Sequence, residues 1–510
     1  METQTQNISF DTTTPTIQSE EIYLASSKFE SRDDLLKSVR EFYGRKGYGL
    51  SIRASKKDKH VILQCDRSGS YRNTVQLGKR KKSTTTRLTN CPVEIIGQKR
   101  SDDTWTFKAK TLTHNHEPLE DISGLPSFRQ LSPNKVKRVK EMTMSGIPPR
   151  QILSSLRQEN PKIQAISRTI YNLKRKSRRD DLGNRPMISV LFEELAKGGF
   201  SFDVLQNQEG RITRLFIAHP LSIKLAKAFS HTFVMDCTYK TNKYKMPLLD
   251  IIGSSCFNIS FYSGFVFLEI ENEENYIWAL TAFKKLFGEG NQPSVLVTDR
   301  KLALINGIKN VFPTATNLLC VWHIEKNVVA NCKKHFQHNE EFDIFMESWK
   351  NVVYSKTEAL FENNWSEFKL FYKEKKDAVE YINKIWLPWK EKFVSAWTDN
   401  YLHLGNRSSS RAEGAHAKLK MYLQVSTGGF KQVKDKISLA VEHEFNEIEV
   451  QLASERIQVP HDCNMPFFKE LLCHVSHFAL KEIYKKYEQA RKGNISDFYM
   501  KSFLYDFKLF

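Results

Sequence analysis

Cysteine is scarce in this chain, eight in 510 residues, and the eight are scattered rather than regularly spaced. That excludes a disulfide framework and fits reduced thiols, with room for a metal site. Long apolar runs are missing too. None approaches the ~18 residues a membrane-crossing helix needs, and residues 1–20 lack the basic-then-apolar order of a signal peptide. The expectation is an intracellular, soluble protein with no membrane partner. Acidic residues are in short supply over one stretch only. Between residues 21 and 180 there are 35 basic against 16 acidic side chains, a surplus of +19, while residues 1–20 carry −3 and residues 181–510 about +3. The formal charge of the whole chain, +19, therefore sits in its first third. Such a field attracts a polyanion, nucleic acid first. At ~150 residues per domain the length allows about three domains.

The patterning of what is present predicts an α+β, multidomain protein. Residues 1–20, rich in Thr, Gln and Ser, read as a disordered tail. Residues 28–52 read as a helix with Phe29, Leu35, Leu36, Val39, Phe42 and Tyr43 on one face, ended by Gly44, Gly47 and Gly49. Short alternating segments up to residue 116 predict a small β-sheet: Leu50–Ile52, Val61–Gln64, Val93–Ile96 and Trp105–Lys110. A basic loop, Lys79, Arg80, Lys81 and Lys82, lies between two of them. After a linker near 121–133, three short helices are expected, from Pro133 to about Met144, from Pro149, and over 167–179. The last carries Lys174, Arg175, Lys176, Arg178 and Arg179. The trio resembles a helix-turn-helix unit, with a solvated basic linker helix as the other reading.

From residue 186 the pattern is α/β. Strands are expected at Thr232–Asp236, Leu248–Gly253, Ser260–Leu268, Ser294–Thr298 and Asn317–Trp322, with helices near 274–288 and 301–310. Three strands, a helix, a strand, a helix and a strand is the order of an RNase H-like core. Residues 331–400 read as a helical, aromatic-rich insertion, 406–423 as a further helix, and 426–510 as a helical C-terminal region. The domain boundaries that follow are 21–120, 121–185, 186–425 and 426–510.

Two constellations carry chemistry. Cys65, Cys91, His114 and His116 have the spacing C-x25-C-x22-H-x-H, with each cysteine at a strand edge and the histidines after the last strand. Two thiolates and two imidazoles satisfy tetrahedral zinc, and a small sheet with little core gains from a metal cross-link. The bland reading is a pair of unrelated core thiols and surface histidines. Asp236 and Asp299 each end an apolar strand, where a carboxylate is solvated yet rigidly held. If those strands are neighbours the carboxylates converge, and a third acid from a helix would complete a hard-oxygen site for two divalent cations. Taken alone, such aspartates also fit N-cap or surface positions.

The residues around these constellations carry family resemblances. The first helix, Cys65, the Lys-Arg stretch, Thr89-Asn90-Cys91-Pro92-Val93 and His114-Asn115-His116 resemble the far-red-impaired-response type of DNA-binding domain, of the WRKY/GCM zinc superfamily, over roughly residues 25–120. The resemblance implies a zinc sheet presenting a strand to the DNA major groove, with Lys79, Arg80, Lys81, Lys82 and Arg87 on phosphates. Each phosphate neutralised adds about −0.9 to the slope of log K against log salt.

Asp236-Cys237-Thr238-Tyr239-Lys240-Thr241-Asn242-Lys243-Tyr244-Lys245-Met246-Pro247-Leu248 resembles the first-aspartate block of Mutator-like (MULE) transposases. Asp299-Arg300-Lys301-Leu302-Ala303-Leu304, with Cys320-Val321-Trp322-His323, is similar to their second block and its C-x-x-H motif. Asn406-Arg407 through Glu413, His416 and Lys420 looks like the block of their third acid, so the likeness runs over about 190–425. It implies a DDE transposase in which Asp236, Asp299 and Glu413 bind Mg2+ or Mn2+, cut at an element end and join the freed 3′-hydroxyl to target DNA. Cys320 and His323 would support that site, two ligands being too few for a metal of their own unless Cys332 and His335 join in a rearranged pair; His416 reads as orienting the site rather than as a general base, and Trp322 as packing in the core, with stacking on an unpaired base as the other reading. Cys473, His474 and His477 read as packing on an amphipathic helix, and the C-terminal zinc finger of many full-length relatives is not found among these residues.

The implied partners are double-stranded DNA, as terminal inverted repeats and as target, and a second copy of the chain in a homo-oligomer. The implied place is the nucleus, with Lys79–Lys82 or Lys174–Arg179 as import signals. The alternative is a domesticated, transposase-derived transcription regulator without catalysis, as the far-red-impaired-response relatives are. A plain RNase H-type nuclease is a weaker third reading.

Overall fold

The structure is a computed structural model that describes residues 26–71, 85–407, 410–423 and 428–491. Lys79, Arg80, Lys81 and Lys82 lie outside the described residues. Internal contacts divide the chain into two units, Met1–Asp181 and Leu182–Phe510. Both mix helices and sheets, as expected. Among the described residues no helix is long and apolar enough to cross a membrane.

In the first unit, helix α1 (Arg32–Arg45) starts at Ser31, whose side chain accepts the Asp34 N–H. It buries Leu35, Leu36, Val39, Phe42 and Tyr43. This corrects the expected start of the helix, because Phe29 instead bridges to Trp105 as an extended residue. The residues from Leu50 onward likewise leave the helix for a strand. Strands β1 (Leu50–Lys56), β2 (His60–Cys65), β3 (Glu94–Lys99) and β4 (Trp105–Thr111) form one antiparallel sheet in the order β1-β2-β3-β4. Val61, Leu63 and Cys65 alternate inward along β2 and meet the α1 side chains together with Val93, Ile95 and Phe107. Gly97 faces Val61 and Leu35 so closely that a Cβ would come within 2.8 Å of Val61.

Three helices follow: α2 (Pro133–Met144), α3 (Pro149–Glu159) and α4 (Ser167–Leu182). Their small core is Val139, Ile152, Leu153, Leu156, Ala165 and Ile170. Arg175, Lys176, Arg178 and Arg179 stand exposed on α4, while Lys174 is half-buried and held below the usual lysine range by that burial and by Arg178.

The second unit begins with α5 (Met187–Lys197), β5 (Ser201–Gln206), β6 (Ile212–Ala218) and α6 (Pro220–Ala228). Then come β7 (Thr232–Thr238), β8 (Leu248–Ser254), β9 (Ser260–Leu268), α7 (Glu273–Lys284), β10 (Val295–Thr298), α8 (Leu302–Val311) and β11 (Thr316–Leu319). The expected succession from β7 to β11 is present. Two further strands, β5 and β6, extend it to seven in the order β11-β10-β7-β8-β9-β6-β5. β11, β10 and β7 run parallel, and the remaining neighbours are antiparallel. β11 is shorter than its sequence suggests, because the chain turns into helix α9 (Val321–Cys332) immediately after Cys320.

The insertion is helical, with α10 (Asn339–Val353), α11 (Glu358–Phe371) and α12 (Lys376–Ile385) around Phe345, Trp349, Phe361, Trp365 and Phe368. α13 (Ser410–Leu423) and the long α14 (Phe430–Glu455) then cover one face of the sheet, burying Ala412, Ala415, Leu419, Phe430, Val433 and Ile437 against its strands. The residues after 426 are therefore continuous with the core of this unit. α15 (His477–Arg491) is capped from α14, since the Glu455 carboxylate accepts the His477 N–H at 2.8 Å. Cys473 and His474 precede this helix, and Cys473 sits at φ 62°, which corrects their expected place on a helix face.

One charge is buried deep in this packing. The Glu444 carboxylate on α14 accepts the backbone N–H of Tyr262 in β9 at 3.1 Å and lies 3.6 Å from Lys418. Burial raises its pKa from 4.5 to about 7, against the pull of Lys418 and of that N–H. The folded chain thus holds this proton more tightly than the unfolded one. The stability it contributes is complete below about pH 4.5 and is lost as pH rises through about 7. Glu444→Gln keeps an acceptor for Tyr262 and removes the charge. Its stability relative to the wild type should rise by on the order of 1–3 kcal/mol between about pH 5 and about pH 8 in paired denaturation curves. A difference independent of pH would contradict this account.

Candidate functional site

In the second unit the chemistry gathers at the carboxyl ends of two parallel strands. β7 and β10 pair with Thr298 beside Met235, so Asp236 and Asp299, the next residue of each chain segment, stand side by side; Asp299 follows the end of β10, whereas β7 runs on to Thr238, which corrects the expected strand end at Asp236. Asp236 is buried, and its Oδ1 accepts the Cys237 N–H at 2.9 Å. The loop to β8 is stapled by buried Asn242. Its amide donates to the Met246 carbonyl at 2.7 Å, and its Oδ1 accepts the N–H groups of Tyr244 and Met246. That loop returns the chain so that Asp250 stands opposite Asp236 in the β7–β8 register.

Helix α13 supplies the third acid. Its closeness to the sheet has a local cause: Ala412 and Ala415 are small and fully packed. The Tyr262 hydroxyl donates to the Ala415 carbonyl at 2.6 Å, and Arg411 donates to the Asn258 carbonyl at 2.9 Å in the β8–β9 hairpin. On the helix face so fixed, Glu413 and His416 project one turn apart. Ligand atoms of Asp236, Glu413 and His416 all lie within 4.8 Å of one another, a grouping that could hold a metal ion.

Asp299 stands beside this grouping rather than within it, and its charge still reaches Asp236. Burial first, and then Asp299 and Glu413, push the Asp236 carboxyl up to about 7 in spite of His416. Burial also raises Asp299, opposed chiefly by His323. A bound cation relieves such repulsion, so the donor chemistry fits a hard divalent ion. Beyond Asp299, Glu271 accepts hydrogen bonds from the hydroxyls of Tyr239 (2.6 Å) and Tyr276 (2.8 Å) and pairs with Lys301.

The C-x-x-H residues divide their roles. Cys320 is buried and caps α9, its sulfur accepting the His323 N–H at 3.3 Å. The His323 ring lies with Nε2 3.9 Å from Asp236 Oδ2, and burial lowers its pKa. Cys332 and His335 stay apart from them: the Cys332 thiol is buried 3.7 Å from the Ala378 carbonyl, and His335 faces Asp377. Trp322 is half-buried at the edge of the core, with the Lys326 ammonium 3.5 Å above its ring.

In the first unit, the four predicted ligands converge. Cys65 Sγ lies 3.2 Å from His116 Nε2, Cys91 Sγ 3.3 Å from His114 Nδ1, and the two imidazole nitrogens 3.4 Å apart. Such separations are close to the ~3.3 Å edge of a tetrahedron with bonds of about 2.0–2.3 Å. Asn115 sets the H-x-H by donating to the Thr89 carbonyl at 2.8 Å, and Tyr48 stacks on His114 with ring centroids 3.6 Å apart. The Glu117 carbonyl, 3.0 Å from His116 Nδ1, leaves Nε2 for the cluster. Arg87 is exposed and spends its Nε–H on the Asp66 carbonyl.

Asp250, Tyr262, Arg411 and Glu444 were not anticipated from the sequence. Asp250 alone left a signal there, as a single charge inside the apolar run Leu248–Gly253.

Residues 232–327 match the MULE transposase domain family. The chain is 25% identical over 465 residues to the PKS-NRPS hybrid synthetase cheA of Chaetomium globosum, covering 84% of this chain and 10% of that protein. It is 22% identical over 421 residues to Protein FAR1-RELATED SEQUENCE 5 of Arabidopsis thaliana, 78% of this chain and 52% of the relative. To Protein FAR1-RELATED SEQUENCE 2 of the same plant it is 24% identical over 378 residues, 71% and 41% respectively. The chain thus spans about half or less of the length of these curated relatives. The matches support a MULE-type, transposase-derived protein.

Because α13 is tethered through Tyr262, Tyr262→Phe tests the placement of the third acid. It keeps the backbone N–H that serves Glu444 and removes the hydroxyl that donates to the Ala415 carbonyl. A loss of about 1–3 kcal/mol is expected, with faster amide exchange concentrated in residues 410–423. Unchanged exchange in that helix would show that the tether does not hold it.

Proposed function

We propose that the chain is a DDE-type DNA transposase, binding element ends through its first unit and cutting and joining DNA strands through Asp236, Asp299 and Glu413. The observation that carries this reading is the pairing of β7 with β10, which sets Asp236, near the carboxyl end of β7, beside Asp299, just past the end of β10, beneath a helix bearing a glutamate. The order β11-β10-β7-β8-β9 is that of an RNase H-like sheet and supports the same reading. So does the MULE match, which covers both aspartates.

Magnesium or manganese ions held by the three carboxylates would supply Lewis-acid activation of water and of a 3′-hydroxyl, and would neutralise charge on the leaving oxygen. The chain's own residues do the rest. The strand ends fix Asp236 and Asp299 rigidly, α13 carries Glu413 over them, and His416 and His323 place polar rings on either side of Asp236. Lys301 and Glu271 form a charged pair beyond Asp299. No side-chain nucleophile is required.

The first unit is read as the DNA-binding part, its fold held by zinc on Cys65, Cys91, His114 and His116. The exposed Arg175, Lys176, Arg178 and Arg179 would meet phosphates along α4. Lys79–Lys82 and Arg87 are assigned the same role, and the nucleus and a homo-oligomer are the matching setting. A second reading, a regulator that binds DNA without cutting it, is favoured by the similarity to the FAR1-RELATED SEQUENCE proteins.

Two experiments decide. With Mg2+ or Mn2+ and a labelled inverted-repeat end, the wild type should nick the DNA. Asp236→Asn and Asp299→Asn should lower nicking by at least about 100-fold while leaving DNA affinity unchanged. A wild type that binds as tightly with or without metal and never nicks is the regulator. For the first unit, Cys91→Ser should drop bound zinc from about one per chain to near zero and abolish DNA binding, read by elemental analysis and a gel-shift titration. Full zinc content in this variant would refute the four-ligand assignment.

A further inference from the structure

Asp250 and His416 remain outside the three-carboxylate scheme, yet they are among the most deeply buried ionisable groups of the second unit, with 0% and 4% exposure. Burying a carboxylate without a partner is costly, so its surroundings are informative. The ion-pair neighbour of Asp250 is His416, whose Nε2 stands 3.1 Å from Asp250 Oδ2. Among the described residues no well-aligned hydrogen bond reaches either Asp250 oxygen or His416 Nε2, so the two buried groups face each other as an ion pair. The opposite ring nitrogen, Nδ1, faces the catalytic side and lies 3.7 Å from Asp236 Oδ2. That is too long for a good hydrogen bond and within the span of two donors sharing one ion.

We propose that His416 is itself a ligand of the cation held at Asp236 and Glu413, oriented by Asp250, so that the site takes a first-row transition dication such as manganese(II) in preference to magnesium. This rests on the reading of those carboxylates as a cation site. Three features carry it. The tightest group of ligand atoms here is Asp236, Glu413 and His416. The β7–β8 register puts Asp236 and Asp250 directly opposite one another, so a single imidazole from α13 reaches both. With Nε2 paired to Asp250 at 3.1 Å, the ring leaves Nδ1 toward Asp236, which is the arrangement of a carboxylate-oriented metal histidine. Magnesium favours an all-oxygen shell, whereas imidazole nitrogen suits transition ions.

The test uses the zinc-loaded full chain with manganese(II) or magnesium alone, without DNA, read by calorimetric titration and by pulsed electron paramagnetic resonance of bound manganese. The wild type should show a nitrogen coupling on the bound ion, and Asp236→Asn should abolish it, which separates this site from the cysteine and histidine cluster. His416→Gln should lose the coupling and weaken manganese about 10–100-fold while changing magnesium by less than about threefold. Asp250→Asn should weaken manganese by a similar factor. The wild-type spectrum needs no variant to fold. Manganese bound in an Asp236-dependent way with an oxygen-only surrounding would overturn this inference and leave the carboxylate reading standing. Absence of any manganese binding that Asp236→Asn removes would overturn both.

Discussion

The second unit is organised around one electrostatic constraint, the crowding of negative charge at the ends of β7 and β10. Desolvation and mutual repulsion both oppose ionisation of Asp236 there. A fold that keeps these acids together needs a stiff frame, and two parallel strands in register provide it. It also needs positive or polar groups nearby. His323, His416 and Lys301 surround the acids from α9, α13 and the start of α8, so the helices that cover the sheet also moderate its charge.

The first unit faces the opposite shortage. Its four-stranded sheet is covered by one helix, and its core is a single layer of side chains between α1 and the sheet. Such a core supplies little net stability against the entropy of ordering the chain. The cluster of Cys65, Cys91, His114 and His116 gathers the chain at one end of the sheet. Burial raises the Cys65 pKa to about 12 in the absence of an ion, so the thiolate that zinc takes as a ligand depends on the ion to stabilise its charge.

How much of this was legible follows from the range of each interaction. β9 and α2 are local patterns, alternation in one and a proline start in the other, and their ends fall where the sequence places them. His114 and His116 are two residues apart and follow a strand, so their convergence could be read directly. β5, one of the two missed strands, is a half-buried edge strand in which only Phe202 and Val204 flank Asp203, too short an alternation to stand out. Tyr262 and Glu444 meet across 182 residues, and nothing near either in the text announces the other. Asp299 was legible as a strand end, whereas β7 runs two residues past Asp236 to Thr238. That their strands are neighbours is a fact of topology.

The C-x-x-H motif has a clear geometric part in this fold. Cys320 is the residue at which β11 becomes α9, and its sulfur holds the His323 N–H in the first turn. A thiol here is small and apolar enough to be buried, yet accepts a hydrogen bond from the helix start. Three residues on, the histidine is one helical turn away and faces the strand end that carries Asp236. His416 approaches the same carboxylate oxygen from α13, so Asp236 Oδ2 has an imidazole nitrogen at 3.9 Å from one helix and at 3.7 Å from another. Two independent helix placements thus converge on one atom. A shift of either helix changes the surroundings of that atom directly, which makes the packing of α9 and α13 on the sheet, rather than the aspartate alone, the determinant of what the site can bind.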